Sequence, residues 1–231
     1  MSTKKNINFF NIGLNFSDQL FLFKEIIQGK SYMRASHNLY LKKNLLLKNL
    51  TADLGSGKKN DYKKLIFKNK DFVENFDFYK TDKYTKIINL EKKFVLKKKY
   101  KNILLFNVLE HVENKDILIQ SIHKSLKKNG RLELFVPFMY RYHGDPNDYY
   151  RLTHTFLEKF LKKKGFNVKL VLISAGPFNV ILEILFKYLK FKILKIAFSP
   201  FFILINKIFS ILSKDFKNYY CGIHCSCKKI K

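Results

Sequence analysis

The chain has 231 residues, of which 47% are hydrophobic and 24 are phenylalanine, so it can bury a sizeable core and is not expected to be disordered. Its formal net charge of +27 indicates an anionic partner, either nucleic acid or an anionic membrane surface. Only four of its 45 basic residues are arginine, the side chain best suited to bases and phosphates, so the charge by itself does not indicate a nucleic-acid site.

The first half of the chain contains segments of helical and of strand character. The predicted helices span residues 17–28 and 31–47, and the predicted strands lie within residues 49–54, 72–82 and 101–107. Ser17 is the expected N-cap of the first helix, and Gly29 ends it. The last of these strands, KNILLFN, is apolar, which is typical of a strand buried on both faces of a parallel sheet.

The second half repeats this order of helix and strand. The predicted helices span residues 114–128 and 153–164, and the predicted strands span residues 131–138, 167–174 and 219–229. Asn129-Gly130 ends the first helix, and Thr153 and Gly165 bound the second. The alternation predicts an α/β fold with a Rossmann-like, doubly wound and mostly parallel sheet.

Residues 177–213 differ from the rest because they are rich in Phe, Ile and Leu, with lysines at short intervals. A spanning helix needs about 20 largely uncharged residues, and here a lysine or Pro200 interrupts too often. Two apolar helices flanking Pro200 are therefore predicted. They could pack on the core or lie shallowly on an anionic membrane, and the regular lysines favour membrane contact.

The stretch ADLGSGKKN places an acid and two glycines at the end of a predicted strand. Asp53, Gly55 and Gly57 are typical of a nucleotide-binding turn, since glycines permit a tight turn and close approach of a ligand. A glycine-rich surface turn is the alternative. The stretch is not a phosphate-binding P-loop, and Lys59 stands where a dinucleotide fingerprint has its third glycine.

Further polar residues follow the next strands. Asp82, at the predicted end of its strand, could bind the hydroxyls of a ribose, with Asp77 as the rival if that strand ends earlier. Glu110 and His111 directly follow the apolar strand, so they are expected at the mouth of the sheet. Their alternative role is to cap the helix that begins after Asn114.

Together, ADLGSG and NVLEHVENKDILIQSIHKSLKKNGRLELFVPF resemble the class I S-adenosylmethionine-dependent methyltransferases, particularly the type 11 group, over about residues 49–174. The following stretch, PFMYRYHGDPNDYYRLTHTFLEKFLKKKGF, is similar to methyltransferase-like proteins of bacterial envelope-polysaccharide gene sets. The residues that carry this narrower likeness are Pro137, His143, Pro146, Asp148, Tyr149, Tyr150, Arg151 and Thr153.

The resemblance implies S-adenosylmethionine as cofactor. It implies that the cofactor-binding residues are Asp53, Gly55, Gly57, Asp82, Asn107 and Glu110. It places Glu110 and His111 near the methyl-transfer end. The loop that follows the next strand would cover the mouth of the sheet, so its His143 and Asp148 are further catalytic candidates, and Tyr149 and Arg151 could bind the acceptor. Asp148 could instead simply pair with Arg151. The chain departs from the family pattern at Lys59, at Asn89 (where an acid is usual) and in its short, lysine-rich stretch before Asn102.

The three cysteines, Cys221, Cys225 and Cys227, lie close together, and with His224 they are candidate ligands of a metal ion. Alternation along a strand would place His224 on the opposite face from Cys225 and Cys227, so no metal site is predicted. No disulfide framework or signal peptide is recognisable, and a reducing cytoplasmic location is expected, with a peripheral position on the inner face of the membrane.

The predicted organisation is an N-terminal helical extension (1–48), a methyltransferase core (49–174), a hydrophobic helical insertion (175–217) and a final strand (218–231). The first functional hypothesis is methyl transfer to an envelope glycan, a lipid-linked sugar or a related small acceptor. The second is a nucleic-acid methyltransferase, which the scarcity of arginine disfavours. The third is an inactive, membrane-peripheral protein that binds the cofactor.

Overall fold

The structure is a computed structural model that describes residues 7–58, 61–68 and 72–230, so Lys59 lies outside the described residues. The helices are α1 (Phe16–Ile27), α2 (Tyr32–Asn44), α3 (Lys63–Ile66), α4 (Lys115–Ser125), α5 (His154–Lys163), α6 (Pro177–Tyr188) and α7 (Lys192–Leu212). The strands are β1 (Asn8–Phe10), β2 (Thr51–Leu54), β3 (Val73–Asp77), β4 (Lys86–Ile87), β5 (Tyr100–Phe106), β6 (Leu126–Pro137), β7 (Phe166–Ala175) and β8 (Tyr220–Lys229).

The described strands form one eight-stranded sheet in the order β1-β7-β8-β6-β5-β2-β3-β4. The pairs β1–β7, β2–β3, β2–β5, β3–β4 and β5–β6 are parallel. This confirms the predicted Rossmann-like fold, including its N-terminal helices and the helical insertion before the last strand. From β2 the chain proceeds to β3 and β4 on one side, whereas β5 and β6 lie on the other. Ligands of such sheets bind at this switch point.

The described residues divide into two compact units. The core unit contains Leu45–Pro137, Tyr142–Leu170 and the described part of His224–Lys231, and the accessory unit contains the described part of Met1–Asn44, Phe138–Arg141 and Val171–Ile223. The domain boundaries expected from the sequence stay a prediction.

The core unit is built around β5, as its apolar sequence predicts. Ile103, Leu104 and Leu105 are completely buried, with β2 on one side of their strand and β6 on the other. Leu118 and Ile122, one helical turn apart on α4, are also buried. The strand is therefore held by backbone pairing on both edges and by apolar packing, which fixes where its polar C-terminal extension begins.

The accessory unit joins α1 and α2 with α6 and α7, and its interior contains several polar contacts. The buried Tyr32 hydroxyl donates to Asn179 Oδ1 over 3.0 Å, and the Met33 N–H donates to the buried carboxylate of Glu183. The N-cap of α1 is Asn15 rather than the predicted Ser17, since Asn15 Oδ1 accepts from the Asp18 N–H.

Tertiary pairing moves several boundaries away from their predicted positions. β6 begins at Leu126, before Asn129-Gly130, because Leu126 already pairs with Tyr100 of β5. α4 consequently ends at Ser125 rather than at residue 128. The two-residue β4 and the three-residue β1 were not predicted, because segments this short carry no periodicity and depend on their partners β3 and β7.

The prediction that two helices flank Pro200 is wrong, because α7 continues through Pro200 from Lys192 to Leu212. The break between the apolar helices lies instead between Tyr188 and Lys192. Pro200 has no N–H to donate to the carbonyl of residue 196, and the Ser199 hydroxyl beside it donates to the Lys195 carbonyl. By length and composition α7 could cross a membrane, and only 17% of its most apolar 18-residue window is buried.

Candidate functional site

The glycine turn after β2 has the backbone conformation that its sequence predicts. Gly55 and Gly57 have φ angles of +72° and +60°, a region that disfavours other residues. The Gly55 N–H donates to the Phe76 carbonyl over 2.8 Å, which ties the turn to β3. A Cβ atom on Gly55 would lie 2.3 Å from Val108 Cγ2. The turn after β2 therefore lies directly against the turn after β5.

Asp53 lies on β2 just before the glycine turn, and its buried carboxylate is paired with two neighbouring side chains. Its Oδ2 atom accepts from the Tyr62 hydroxyl over 2.6 Å and lies 2.7 Å from Lys63 Nζ. Burial raises the pKa of Asp53, and the Lys63 ammonium opposes that shift. Sequence reasoning missed both partners, because Tyr62 and Lys63 stand in a lysine-rich stretch in which nothing marks one lysine as buried.

The acid at the end of β3 is Asp77, not the predicted Asp82. Asp77 Oδ2 accepts from the Gly57 N–H over 2.8 Å, so this carboxylate orders the glycine turn. Asp82 lies beyond the strand, where its Oδ1 atom accepts from the Tyr84 N–H and the Thr85 hydroxyl. The Thr85 hydrogen bond lowers the pKa of Asp82. Asp82 therefore caps an exposed turn of its own.

The turn after β5 carries the predicted Glu-His pair. Asn107 has φ +54°, an unusual value that asparagine tolerates, and its N–H donates to the Phe135 carbonyl over 2.9 Å. Leu109–His111 then form a short 3₁₀ helix. The N-cap of α4 is Asn114, whose Oδ1 accepts from the Ile117 N–H, so Glu110 and His111 do not have the capping role.

The loop after β6 contacts this turn. The Tyr149 N–H donates to the Glu110 carbonyl over 2.8 Å, and His111 Nδ1 lies 2.6 Å from the Asn147 carbonyl oxygen. His143 Nε2 lies 3.6 Å from Glu110 Oε1. The structure therefore brings the predicted catalytic residues of two separate segments together.

Asp148 and Arg151 form the ion pair that the sequence left as an alternative. Both terminal guanidinium nitrogens of Arg151 donate to the Asp148 carboxylate, and the backbone N–H of His143 also donates to Asp148 Oδ2. Burial raises the pKa of Asp148, but the Arg151 and His143 hydrogen bonds outweigh it and hold the pKa at about 2. Asp148 is thus ionised at neutral pH and shapes the loop, while the exposed Tyr149 ring faces solvent.

Several buried oxygens at this edge lack a hydrogen-bond partner within the described part of the chain. They are Asp53 Oδ1, Ser56 Oγ, Asn107 Oδ1 and both carboxylate oxygens of Glu110. Burying a polar atom without a partner is costly, so such atoms seldom gather without a ligand. The oxygens of Asp53, Ser56 and Asn107 fit a cofactor that offers an amine and hydroxyl groups.

Comparison with known proteins agrees with this geometry. Residues 51–171, more than half of the chain, match a family described as methyltransferase domain. No curated protein is significantly similar to the chain.

Solved structures with the same fold include three methyltransferases. Phosphoethanolamine N-methyltransferase 2 of Haemonchus contortus, in complex with S-adenosyl-L-methionine, is 16% identical with a TM-score of 0.53, over 84% of this chain and 52% of that one. The chain thus spans about half of the length of that enzyme. An Archaeoglobus fulgidus S-adenosylmethionine-dependent methyltransferase is 14% identical with a TM-score of 0.54, over 91% and 99% of the two chains. One from Mesorhizobium loti is 10% identical with a TM-score of 0.52, over 85% and 100%.

These low identities establish the fold alone, whereas the match to the family model establishes the membership. The matched residues contain both the glycine turn and the Glu-His turn of the site. The chain therefore belongs to the methyltransferase domain family, which confirms the enzyme class and the S-adenosylmethionine cofactor that the sequence resemblance predicts.

Proposed function

We propose that the protein transfers a methyl group from S-adenosylmethionine to an envelope glycan, a lipid-linked sugar or a related small acceptor at the inner face of the membrane. The observation that carries this proposal is the pairing of a cofactor-type site in the core unit with two outward-facing apolar helices in the accessory unit. Both features belong to one chain, and each has a separate test.

The cofactor part rests on the turns after β2, β3 and β5. Asp53 and Asn107 each have a buried side-chain oxygen without a partner among the described residues. Gly55 has the positive φ that favours glycine, so the turn between them can be tight. Asp53 Oδ1 would accept from the cofactor's amine, and Asp77, at the end of its strand, would accept from ribose hydroxyls. S-adenosylmethionine supplies an electrophilic methyl group, so the protein mainly has to position the acceptor and exclude water.

Replacing Asp77 is expected to weaken cofactor binding far more than replacing Asp82. Asp77→Ala leaves the ribose hydroxyls unpaired, which costs about 1–3 kcal/mol, or about a 5- to 150-fold loss of affinity. Asp82→Ala is the matched control, because the hydrogen bonds that Asp82 accepts from described residues lie within its own turn. Isothermal titration with S-adenosylhomocysteine measures both. A larger loss for Asp82→Ala would return the ribose role to Asp82.

The acceptor part rests on the loop after β6. Arg151 and Tyr149 are proposed to contact the acceptor, while His111 and His143 lie beside the buried Glu110 carboxylate. Arg151 is suited to a phosphate-bearing or hydroxyl-rich acceptor, because its fork presents several donors at once. Asp148, which holds Arg151 by two hydrogen bonds, keeps that fork in place.

The membrane part rests on α1 and α7, which expose many apolar side chains while several of their polar side chains are buried. On α7 the buried residues include Ser199 and Asn206, and on α1 they include Asp18 and Glu25. The exposed residues form an apolar stripe on each helix: Phe16, Leu20, Phe23 and Ile27 on α1, and Leu194, Phe198, Phe201, Leu204, Ile208 and Ile211 on α7. Apolar surface of this extent indicates contact with lipid or with a partner.

Lysines on and beside these helices favour an anionic lipid surface over a neutral partner. Lys192 and Lys195 lie in the first turn of α7, and Lys207 lies near its other end. Each lysine near an anionic leaflet contributes about 1 kcal/mol, and long lysine side chains can reach the headgroups while their stems stay among apolar atoms. The stripe and the lysines together describe an interfacial helix.

The protein is expected to sediment with vesicles that contain anionic lipid, and high salt should weaken this binding only in part, since the apolar contribution is not screened. The triple variant Phe201→Ser, Leu204→Ser, Ile208→Ser should weaken binding about 100-fold, from about 1 kcal/mol for each half-inserted side chain. These residues are 57%, 46% and 49% exposed, so the variant should still fold.

The matched control is Phe78→Ser, Ile87→Ser, Val95→Ser, which removes three apolar side chains of the core unit that are 55%, 70% and 61% exposed. The control should bind vesicles as the wild type does. If both triple variants lose binding equally, or if the α7 variant unfolds, the α7 stripe is not a membrane-binding surface.

A further inference from the structure

Three side chains around the Glu-His turn converge on one point. The side-chain donor atoms of Glu110, His111 and His143 all lie within 4.8 Å of one another. Glu110 Oε1 is 3.6 Å from His143 Nε2 and 3.8 Å from His111 Nε2. The two imidazole rings stand nearly perpendicular, with their centroids 4.9 Å apart. Two imidazole nitrogens and a carboxylate are a common ligand set for divalent transition metals.

The Glu110 carboxylate is the observation that calls for a ligand. Its side chain is only 1% exposed, and in the described part of the structure neither of its oxygens has a hydrogen-bond partner. A buried carboxylate normally accepts several hydrogen bonds or coordinates a metal, because leaving it uncompensated is costly. The neighbouring histidines approach only to 3.6 and 3.8 Å, which is beyond hydrogen-bond distance.

The far side of each histidine faces an oxygen, and for His111 this oxygen fixes which ring nitrogen turns its lone pair toward Glu110. His111 Nδ1 lies 2.6 Å from the Asn147 carbonyl oxygen, which can only accept, so Nδ1 carries the proton. His143 Nδ1 lies 3.3 Å from Asp148 Oδ2. Metal-binding histidines typically have a carbonyl or a carboxylate behind them in this way.

We propose that Glu110, His111 and His143 bind one divalent first-row transition-metal ion such as Zn²⁺ or Mn²⁺. Ligands about 2.1 Å from a tetrahedral ion stand about 3.4 Å apart. The observed 3.6 and 3.8 Å are slightly wider, so small side-chain rotations would close the site. Three protein ligands leave coordination positions open. If the proposed function is right, an oxygen of the acceptor would occupy one of them, and the ion rather than a histidine base would polarise it.

The test is metal binding to the full, tag-free chain after treatment with a chelator. Equilibrium dialysis against ZnCl₂ and, separately, MnCl₂, followed by metal analysis, should give one ion per chain for at least one of the two metals. Glu110→Gln and His143→Ala should each lower that affinity at least tenfold. His154→Ala is the matched control, because His154 belongs to the same unit but not to the cluster, and it should keep wild-type affinity.

The proposal is overturned if the wild type binds neither ion stoichiometrically at micromolar free metal, or if Glu110→Gln binds as tightly as the wild type. Should His143→Ala fail to fold, the visible absorption spectrum of the Co²⁺-loaded wild type decides, since nitrogen and carboxylate coordination shifts the bands away from those of aqueous Co²⁺. Titration of the metal-free protein with S-adenosylhomocysteine reports the cofactor site independently. Failure of metal binding is therefore distinguishable from failure of the proposed function.

Discussion

Gly55→Ala is expected to abolish binding of S-adenosylmethionine and to destabilise the core unit. Its φ of +72° costs an alanine about 1–2 kcal/mol, and the added Cβ would lie 2.3 Å from Val108 Cγ2. Relieving that clash pushes the turns after β2 and β5 apart, and overpacking of this kind typically costs a further 1–3 kcal/mol or so. Both turns belong to the proposed cofactor site, so their separation removes the site as well as stability.

Gly29→Ala and Gly57→Ala separate the cost of backbone strain from the cost of the clash with Val108. Gly29 has a similar φ of +78° outside the site, and Gly57 has φ +60° within it, and neither has a described atom within 4 Å of its virtual Cβ. Gly29→Ala should show the backbone strain without loss of cofactor affinity, as measured by urea unfolding and by isothermal titration. Wild-type affinity in folded Gly55→Ala would show that the glycine turn does not hold the cofactor.

Lys63→Met is expected to lower the free energy of unfolding by about 3–5 kcal/mol at pH 7, the usual cost of leaving one buried charge without its partner. Lys63 Nζ lies 2.7 Å from Asp53 Oδ2, and both side chains are buried. The double variant Asp53→Asn, Lys63→Met should recover most of this loss, because no charge then remains to be compensated. Urea unfolding of the wild type and the three variants forms the double-mutant cycle.

The pH dependence provides a second check on the same pair. Burial already raises the pKa of Asp53 in the folded protein, and removing Lys63 should raise it further. Since the folded state then binds a proton more tightly than the unfolded state, the penalty is full above the folded pKa and shrinks as pH falls toward the ordinary aspartate value. Lys63→Met should therefore be less damaging at pH 5 than at pH 7.

Lys162→Met is the matched control for a surface pair. Lys162 pairs with Glu158 one turn away on α5, and both side chains are partly exposed. Exposed pairs of this kind contribute about 0.3–0.5 kcal/mol. If Lys63→Met costs no more than Lys162→Met, Asp53 is not an ionised, buried partner of Lys63, and the described arrangement of the site is incorrect.

The sequence by itself determined the order of the main helices and strands and the place of the site along the chain. Local chemistry was enough for this: the apolar run 101–107 reads as a buried strand, Thr153 and Gly165 bound α5, and the glycine turn needs positive φ wherever it lies. Asn107, Glu110 and His111 follow β5 directly, so their position at the carboxyl edge came from one strand alone.

Only the tertiary structure decided which residues meet there. β3 ends at Asp77 because its pairing stops after Leu54↔Phe76 and Asp77↔Ile87, and no local signal in FDFYKTD marks that point. Lys63 is one lysine among 45 basic residues until the fold buries it against Asp53. His143 reaches Glu110 across 33 positions of sequence. α7 passes Pro200 although proline cannot donate a backbone hydrogen bond, and no local rule about proline predicts this. Contacts between distant segments depend on strand pairing and burial, which spacing along the chain does not encode.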